Sequence, residues 1–145
     1  MAIVRCENTE ILADIWLRAS LEAHSFIDAA YWHSNYDDMR LKYLTSAENY
    51  AYEDEVSDEI TGFISLNGNH IKVLFVDPSH QGRRMGQTLL GYAKNIRERL
   101  TLAVYENNAR AVKFYVQSGF IVQERRTDLA TKEAELVMVW DRRTL

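Results

Sequence analysis

The residues best suited to chemistry gather in two short stretches. In "SHQGRRMGQTLL", Gly82 and Gly86 bracket Arg83, Arg84 and Met85, with Gln81 before them and Gln87 after. This stretch joins the apolar run "VLFVDP", closed by the chain's only proline, Pro78, to a segment with helical periodicity. A helix N-terminus exposes unpaired amides and the positive end of the helix dipole. A glycine-bearing turn there can wrap several amides around an anion, and arginine adds donors that suit phosphate. The same pattern also serves as a plain strand-to-helix turn with surface arginines. A P-loop is excluded, because three residues separate the two glycines and Gln87 stands where a lysine is required. A dinucleotide fingerprint is excluded too, since no Gly-x-Gly-x-x-Gly follows the first strand.

The second stretch, "NARAVKFYVQSGF", places Ala111, Phe114, Tyr115, Gly119 and Phe120 at set offsets from Asn108. Together, "LFVDPSHQGRRMGQTLL" and "NARAVKFYVQSGF" resemble the two signature motifs of the GNAT superfamily of acyl-CoA-dependent N-acyltransferases. The first is similar to that family's pyrophosphate loop, and the second to its Asn-x-x-Ala-x-x-Phe-Tyr-x-x-x-Gly-Phe helix. One position departs: Arg84 stands where the family usually has glycine.

The resemblance implies acetyl-CoA (coenzyme A) as cofactor and direct transfer of an acetyl group to a primary amine within a ternary complex. It implies that Leu74, Phe75 and Val76 lend backbone groups to the pantetheine arm. Residues 81 to 87 (Gln81, Gly82, Arg83, Arg84, Met85, Gly86, Gln87) would hold the pyrophosphate. Asn108 would reach the arm from the other side, besides its simpler role of capping the helix that follows. Acyl transfer from a thioester builds an oxyanion and then releases a thiolate, so it needs amide donors and a proton donor. Tyr115 occupies the family position of that donor; packed in a core, it would need only a partner for its hydroxyl. The amine must lose a proton before it attacks. A branch that acetylates ribosomal-protein N-termini uses a glutamate on the strand "LTLAVYE", where this chain has Ala103. His70 is therefore the first candidate base, with Glu106 and Glu22 as alternatives. "EAHSFIDAAYW" resembles a subgroup of small bacterial single-domain members, and implies that His24, Tyr31, Trp32 and Tyr36 line the acceptor pocket. The acceptor would be a small-molecule amine, or a lysine or N-terminal amine of a protein. The alternative is a non-catalytic acyl-CoA-binding regulatory module.

These residues need a scaffold. "AIVR" reads as a strand, and "EILADIWLRASLEA" behind Asn8 and Thr9 as a helix with apolar residues on one face. A second helix is expected from about Ala29 to Leu44, capped by Asp28. "NYAYED" and "ITGFISLNG" alternate with period two, and Asn67-Gly68 predicts a two-residue hairpin into "HIKVLFVDP". Between those strands "EDEVSDE" reads as a solvated acidic turn. Then come a helix from about Gly86 to Arg99, the strand "LTLAVYE", a helix from about Ala109 to Ser118, and the strands "FIVQERRTD" and "AELVMVWD". The order predicts one mixed α/β domain over residues 1–145. Its sheet would be central, mixed and mostly antiparallel, with the fourth and fifth strands parallel and helices on both faces, the fold of the acyl-CoA N-acyltransferases that the motifs resemble.

Composition sets the outer limits. The 145 residues suffice for one core, and 47% hydrophobic with 26% charged residues is globular usage. A net charge of −4 argues against a broad nucleic-acid surface. The single Cys6 precludes an internal disulfide, and no apolar run has membrane-span length. The histidines show no metal-ligand spacing. The expectation is a cytoplasmic protein without metal or membrane partner, monomeric or homodimeric.

Overall fold

The computed structural model describes residues 3–80 and 84–144. A seven-stranded sheet carries the site, in the order β1-β2-β3-β4-β5-β7-β6. Strands β1 (Ile3–Arg5), β2 (Glu48–Glu53), β3 (Ile60–Asn67) and β4 (His70–Val76) form an antiparallel half. Strands β5 (Arg99–Tyr105), β7 (Ala134–Asp141) and β6 (Ile121–Thr127) form the other. Only the β4–β5 pair is parallel, as the element order predicts.

Helices cover both faces. On one, α4 (Met85–Ile96) and α5 (Ala109–Gln117) pack Leu89, Leu90 and Tyr115 onto Ile64, Leu66, Leu102 and Met138. On the other, α1 (Thr9–Ala23) and α2 (Ala29–Ser34) pack Leu12, Ile15, Trp16 and Trp32 onto Phe63 and Val73. Because β3 lies at the centre, Thr61 to Leu66 are buried without interruption. Its period-two pattern predicts one wet face; both faces are dry instead. The polar members adapt by pairing: Ser65 donates to the Asn49 side chain, and Thr61 Oγ1 meets Met85 Sδ at 3.2 Å.

Two local expectations are corrected. The hairpin turns on Gly68-Asn69, one residue later than predicted, with Asn67 still paired to His70. Gly68 has φ +60°, and Asn69 is not among the positive-φ residues, which fits a turn with glycine at its first central position. The long second helix is broken. The side chain of Asn35 donates to the Tyr31 carbonyl at 2.7 Å, and Ser34 Oγ reaches the same oxygen at 3.0 Å, so side chains compete for the helix's own acceptor. The chain resumes as the single turn α3 (Tyr36–Asp38) and a π-helical turn, Met39–Tyr43, closed by Leu44 N–H on the Met39 carbonyl. The break lets this segment bend around a pocket instead of lying straight along the sheet.

Gly62 sets the shape of the open end of β4. A Cβ there would stand 3.0 Å from the Phe75 carbonyl oxygen and 3.3 Å from Val76 Cα. Without it, β3 and β4 close tightly while β4 leans away from β5.

Candidate active site

The parallel pair registers at one point only, His70 with Thr101. A bulge follows: Leu66 faces Ile71 and Ser65 faces Val73, leaving Lys72 over. Past it, Leu74 and Phe75 have no ladder partner on β5 among the described residues. Backbone polar groups along an unpaired strand edge seek another partner, so the splay makes a natural seat for an extended, amide-bearing ligand.

Two cavities meet in this splay. The larger, about 570 Å³, runs from Leu74, Phe75 and Val76 to the N-termini of α4 and α5, past Arg84, Met85, Gly86, Gln87, Asn108 and Tyr115. The smaller, about 240 Å³, lies under α1 and α2 among Trp16, His24, Trp32, Met39 and Tyr105. Leu74, Phe75, Asn108, Ala111 and Tyr115 line both. A ligand in one cavity therefore meets a ligand in the other beside Tyr115.

The N-terminus of α4 differs from those of α1, α2 and α5. Those are capped by Asn8, Asp28 and Asn108, whereas among the described residues no side chain caps α4. Arg84 precedes it in the left-handed region, φ 59° and ψ 20°. Glycine enters that region freely and arginine only at a cost, which accounts for the glycine usual in the resembled motif. Arg84 adopts that conformation nonetheless, and its side chain lines the larger cavity. Gly86 faces the Phe114 ring, with room for a Cβ at 3.6 Å, and thus keeps the cavity floor flat. Amides at a helix start, an arginine and a strand edge that has left its neighbour suit a long ligand with a phosphate end. Gln81, Gly82 and Arg83 lie outside the described residues.

Asn108 and His24 tie the two cavities together. Asn108 Oδ1 accepts from Ala111 N–H at 3.3 Å, which caps α5 and fixes the amide's orientation. The Asn108 amino group then faces His24 Nε2 at 3.3 Å and donates to it. Nε2 must be bare, so the imidazole proton sits on Nδ1, which is buried without a partner among the described residues. His24 stacks on Trp32 at 5.0 Å and meets the Phe75 and Tyr105 rings edge-on. Burial lowers its pKa to about 4, so it is neutral.

Tyr115 is 8% exposed, and burial raises its pKa, so the phenol holds its proton. Its ring packs against Phe114 and Phe120, and among the described residues its hydroxyl has no hydrogen-bond partner. A protonated phenol without an internal acceptor is free to donate into the junction.

Other expected residues lie elsewhere. His70 sits at the closed end of the splay, Nδ1 2.9 Å from Thr101 Oγ1, and lines neither cavity. Four strand residues, about 13 Å, separate it from Leu74. It helps close the sheet where β4 and β5 meet, and its expected place as the base is corrected on distance alone. Burial and the Lys72 and Arg126 charges lower its pKa. Glu106 is engaged by Arg125 at 2.7 Å, while Glu22 edges the larger cavity. Tyr36 donates to Asp14, which pushes its pKa up to about 12, and points to α1 rather than into a cavity. Tyr31 backs Trp32 at 4.9 Å without lining the pocket.

Lys72, Tyr105 and Glu135 line the smaller cavity and were not among the expected residues. For Lys72 and Glu135 the signal is a charge inside an apolar strand, in "HIKVLFV" and "AELVMVW". Such a charge needs either an edge or a function.

Comparison with known proteins agrees with this geometry. The family described as acetyltransferase (GNAT) domain matches residues 6–130. The peptidyl-lysine N-acetyltransferase YiaC of Escherichia coli is 31% identical over 137 residues, 94% of this chain and 92% of its own. The peptidyl-lysine N-acetyltransferase YjaB of Escherichia coli is 35% identical over 121 residues, 83% and 81% of the two chains. The solution structure of apo YjaB superposes with a TM-score of 0.83 over 96% of each chain. An aminoglycoside 6'-N-acetyltransferase complexed with coenzyme A shares the fold at 14% identity, with a TM-score of 0.68 over 98% of this chain and 97% of that one.

Proposed function

Since the chain belongs to the GNAT acetyltransferase family, we propose that it moves an acetyl group from acetyl-CoA to the side-chain amine of a protein lysine. The observation that carries this reading is the junction: Asn108 and Tyr115 line both cavities at the point where β4 leaves β5.

In this reading the larger cavity holds the coenzyme. The edge of β4 at Leu74 and Phe75 takes the amide-bearing arm, Asn108 steadies it from α5, and the amides of Met85, Gly86 and Gln87 with Arg84 hold the phosphates. Bound there, acetyl-CoA supplies the acetyl group as a thioester. Tyr115 is the proton donor at the junction, since burial keeps its phenol protonated and no acceptor among the described residues claims it. The smaller cavity admits the lysine side chain between Trp32 and Tyr105, whose rings favour a cation.

No histidine serves as base. His24 is too weak a base, with its Nε2 already taken, and His70 is too far. The amine passes its proton to water at the pocket mouth. A non-catalytic acyl-CoA-binding module is not favoured, because the relatives that match most of the chain bear the names of transferases.

The test is acetyl-CoA consumption with lysine peptides, polyamines and small amines as acceptors. The wild type should turn over lysine peptides, and Tyr115→Phe should lose about 100-fold or more in kcat with acetyl-CoA affinity unchanged. A Tyr115→Phe protein with full turnover refutes the donor, and a wild type silent across the panel refutes transfer to amines.

A further inference from the structure

The smaller cavity carries two opposed charges on its wall. Among the described residues lining it, Glu135 is the single carboxylate and Lys72 the single charged amine, while His24 is neutral. Glu135 stands on β7 opposite Tyr105 of β5, and Lys72 on β4. One strand lies between them, so their backbones are at least about 10 Å apart.

Glu135 is 15% exposed, and Oε1 accepts from Arg126 Nε at 2.7 Å. Oε2 has no hydrogen-bond partner among the described residues. Arg126 lies on β6, a strand exposed along its whole length, and its own side chain is half exposed. A covered carboxylate with one oxygen unengaged prefers a second cation, and its existing partner can turn to water at little cost. Lys72 lies 5.9 Å above the Tyr43 ring and repels a cation from the opposite wall.

A lysine side chain is charged when it arrives, with an ordinary pKa near 10.4. From this arrangement we infer that Glu135 is the specificity-determining residue of the acceptor pocket, receiving the incoming ammonium in competition with Arg126. Lys72 steers the ammonium toward the β7 side. Glu135 binds the acceptor and takes no part in the chemistry, so its effect belongs in KM rather than kcat. The inference rests on the smaller cavity being the amine site.

Two probes separate charge from shape: Nα-acetyl-lysine methylamide, and the norleucine analogue of nearly the same length without the ammonium. Their binding is followed by the fluorescence of Trp16 and Trp32, which line the pocket. The wild type should prefer the lysine probe, and Glu135→Gln should weaken that probe about tenfold, leaving the norleucine probe unchanged. Arg126→Gln breaks the same ion pair yet should bind the lysine probe at least as tightly as the wild type. If the pair serves only the fold, both variants move together, and that outcome overturns the inference. So does a wild type that fails to distinguish the probes. If Glu135→Gln does not fold, the wild type alone decides: its lysine-probe affinity must fall as salt rises while the norleucine affinity holds. Lost turnover with probe discrimination intact would sink the transfer reading and leave Glu135 in place. Turnover without discrimination would do the reverse.

Discussion

His24 makes the stability of this protein depend on pH in a way that can be calculated before it is measured. Its folded pKa is about 4 against 6.5 in a solvated chain, because burial disfavours the imidazolium. Protonation would also set a second N–H against the Asn108 amino group, which the α5 cap holds in place. Between those two values the unfolded chain binds the extra proton and the folded one does not. Stability therefore falls as pH drops from 7 toward 4. Linkage puts the loss from this one group at about 2 kcal/mol between pH 7 and pH 5. For a domain of this length that corresponds to a drop of roughly 6 °C in Tm.

His24→Gln isolates the effect, since a glutamine carbonyl can still accept from Asn108 but has no proton to bind. The variant will be less stable at both pH values, having lost the imidazole stacked on Trp32, so the quantity to compare is the change with pH. Urea unfolding at pH 7 and pH 5, at one ionic strength, should show the wild type losing about 2 kcal/mol more than the variant. His70, also lowered, and the surface carboxylates titrate in both proteins and cancel. Equal losses in the two proteins would refute the buried neutral imidazole. A wild type that gains stability on acidification relative to the variant would mean that the ring is charged in the fold.

Arg84→Gly relieves a left-handed arginine and should raise the stability of the free protein by up to about 1 kcal/mol. It should also weaken acetyl-CoA binding and flatten its salt dependence, read by titration at two salt concentrations. Unchanged affinity would show that the side chain does not reach the coenzyme. Gly62→Ala puts a Cβ 3.0 Å from the Phe75 carbonyl and should destabilise by about 2 kcal/mol. Because β4 must then shift, acetyl-CoA affinity should fall as well, whereas a loss of stability alone would mean that the splay tolerates the change. Tyr115→Phe, which removes a hydroxyl without a partner among the described residues, should leave the unfolding midpoint within a few degrees of the wild type.

What could be read from the chain beforehand divides along a physical line. Strand β7 was expected at its observed ends, and α1 within one residue of its start with Asn8 or Thr9 as cap, because periodicity and capping are local and their signals sit in consecutive residues. The broken helix after Asp28 was not legible. Its apolar spacing is helical throughout, and only the contest of Asn35 and Ser34 for one carbonyl interrupts it. The turn at Gly68-Asn69 slipped by one residue for a similar reason, as Asn67-Gly68 carries the stronger dipeptide signal while strand pairing decides the register.

The site follows the same division, with a consequence for how its residues work. Asn108 and Tyr115 stand together at the junction because one contiguous motif presents them, the first as the cap of α5 and the second on it. His70 was misplaced because a residue on β4 can stand at either end of the splay, and sequence does not say where two parallel strands part. The charges that face the acceptor come from β4 and β7, more than sixty residues apart in the chain. Neither belongs to a motif, and each reads alone as a flaw in an apolar strand. Sheet order brings them to opposite walls of one pocket, with β5 between them. The coenzyme side is thus written in contiguous motifs that any acceptor can share. Acceptor choice is left to isolated residues, which can change without disturbing that machinery. On this division, exchanging the charges at positions 72 and 135 should alter which amine is taken and leave acetyl-CoA affinity as it was. If the exchange weakens acetyl-CoA binding as much as acceptor binding, the two halves of the site are not separable.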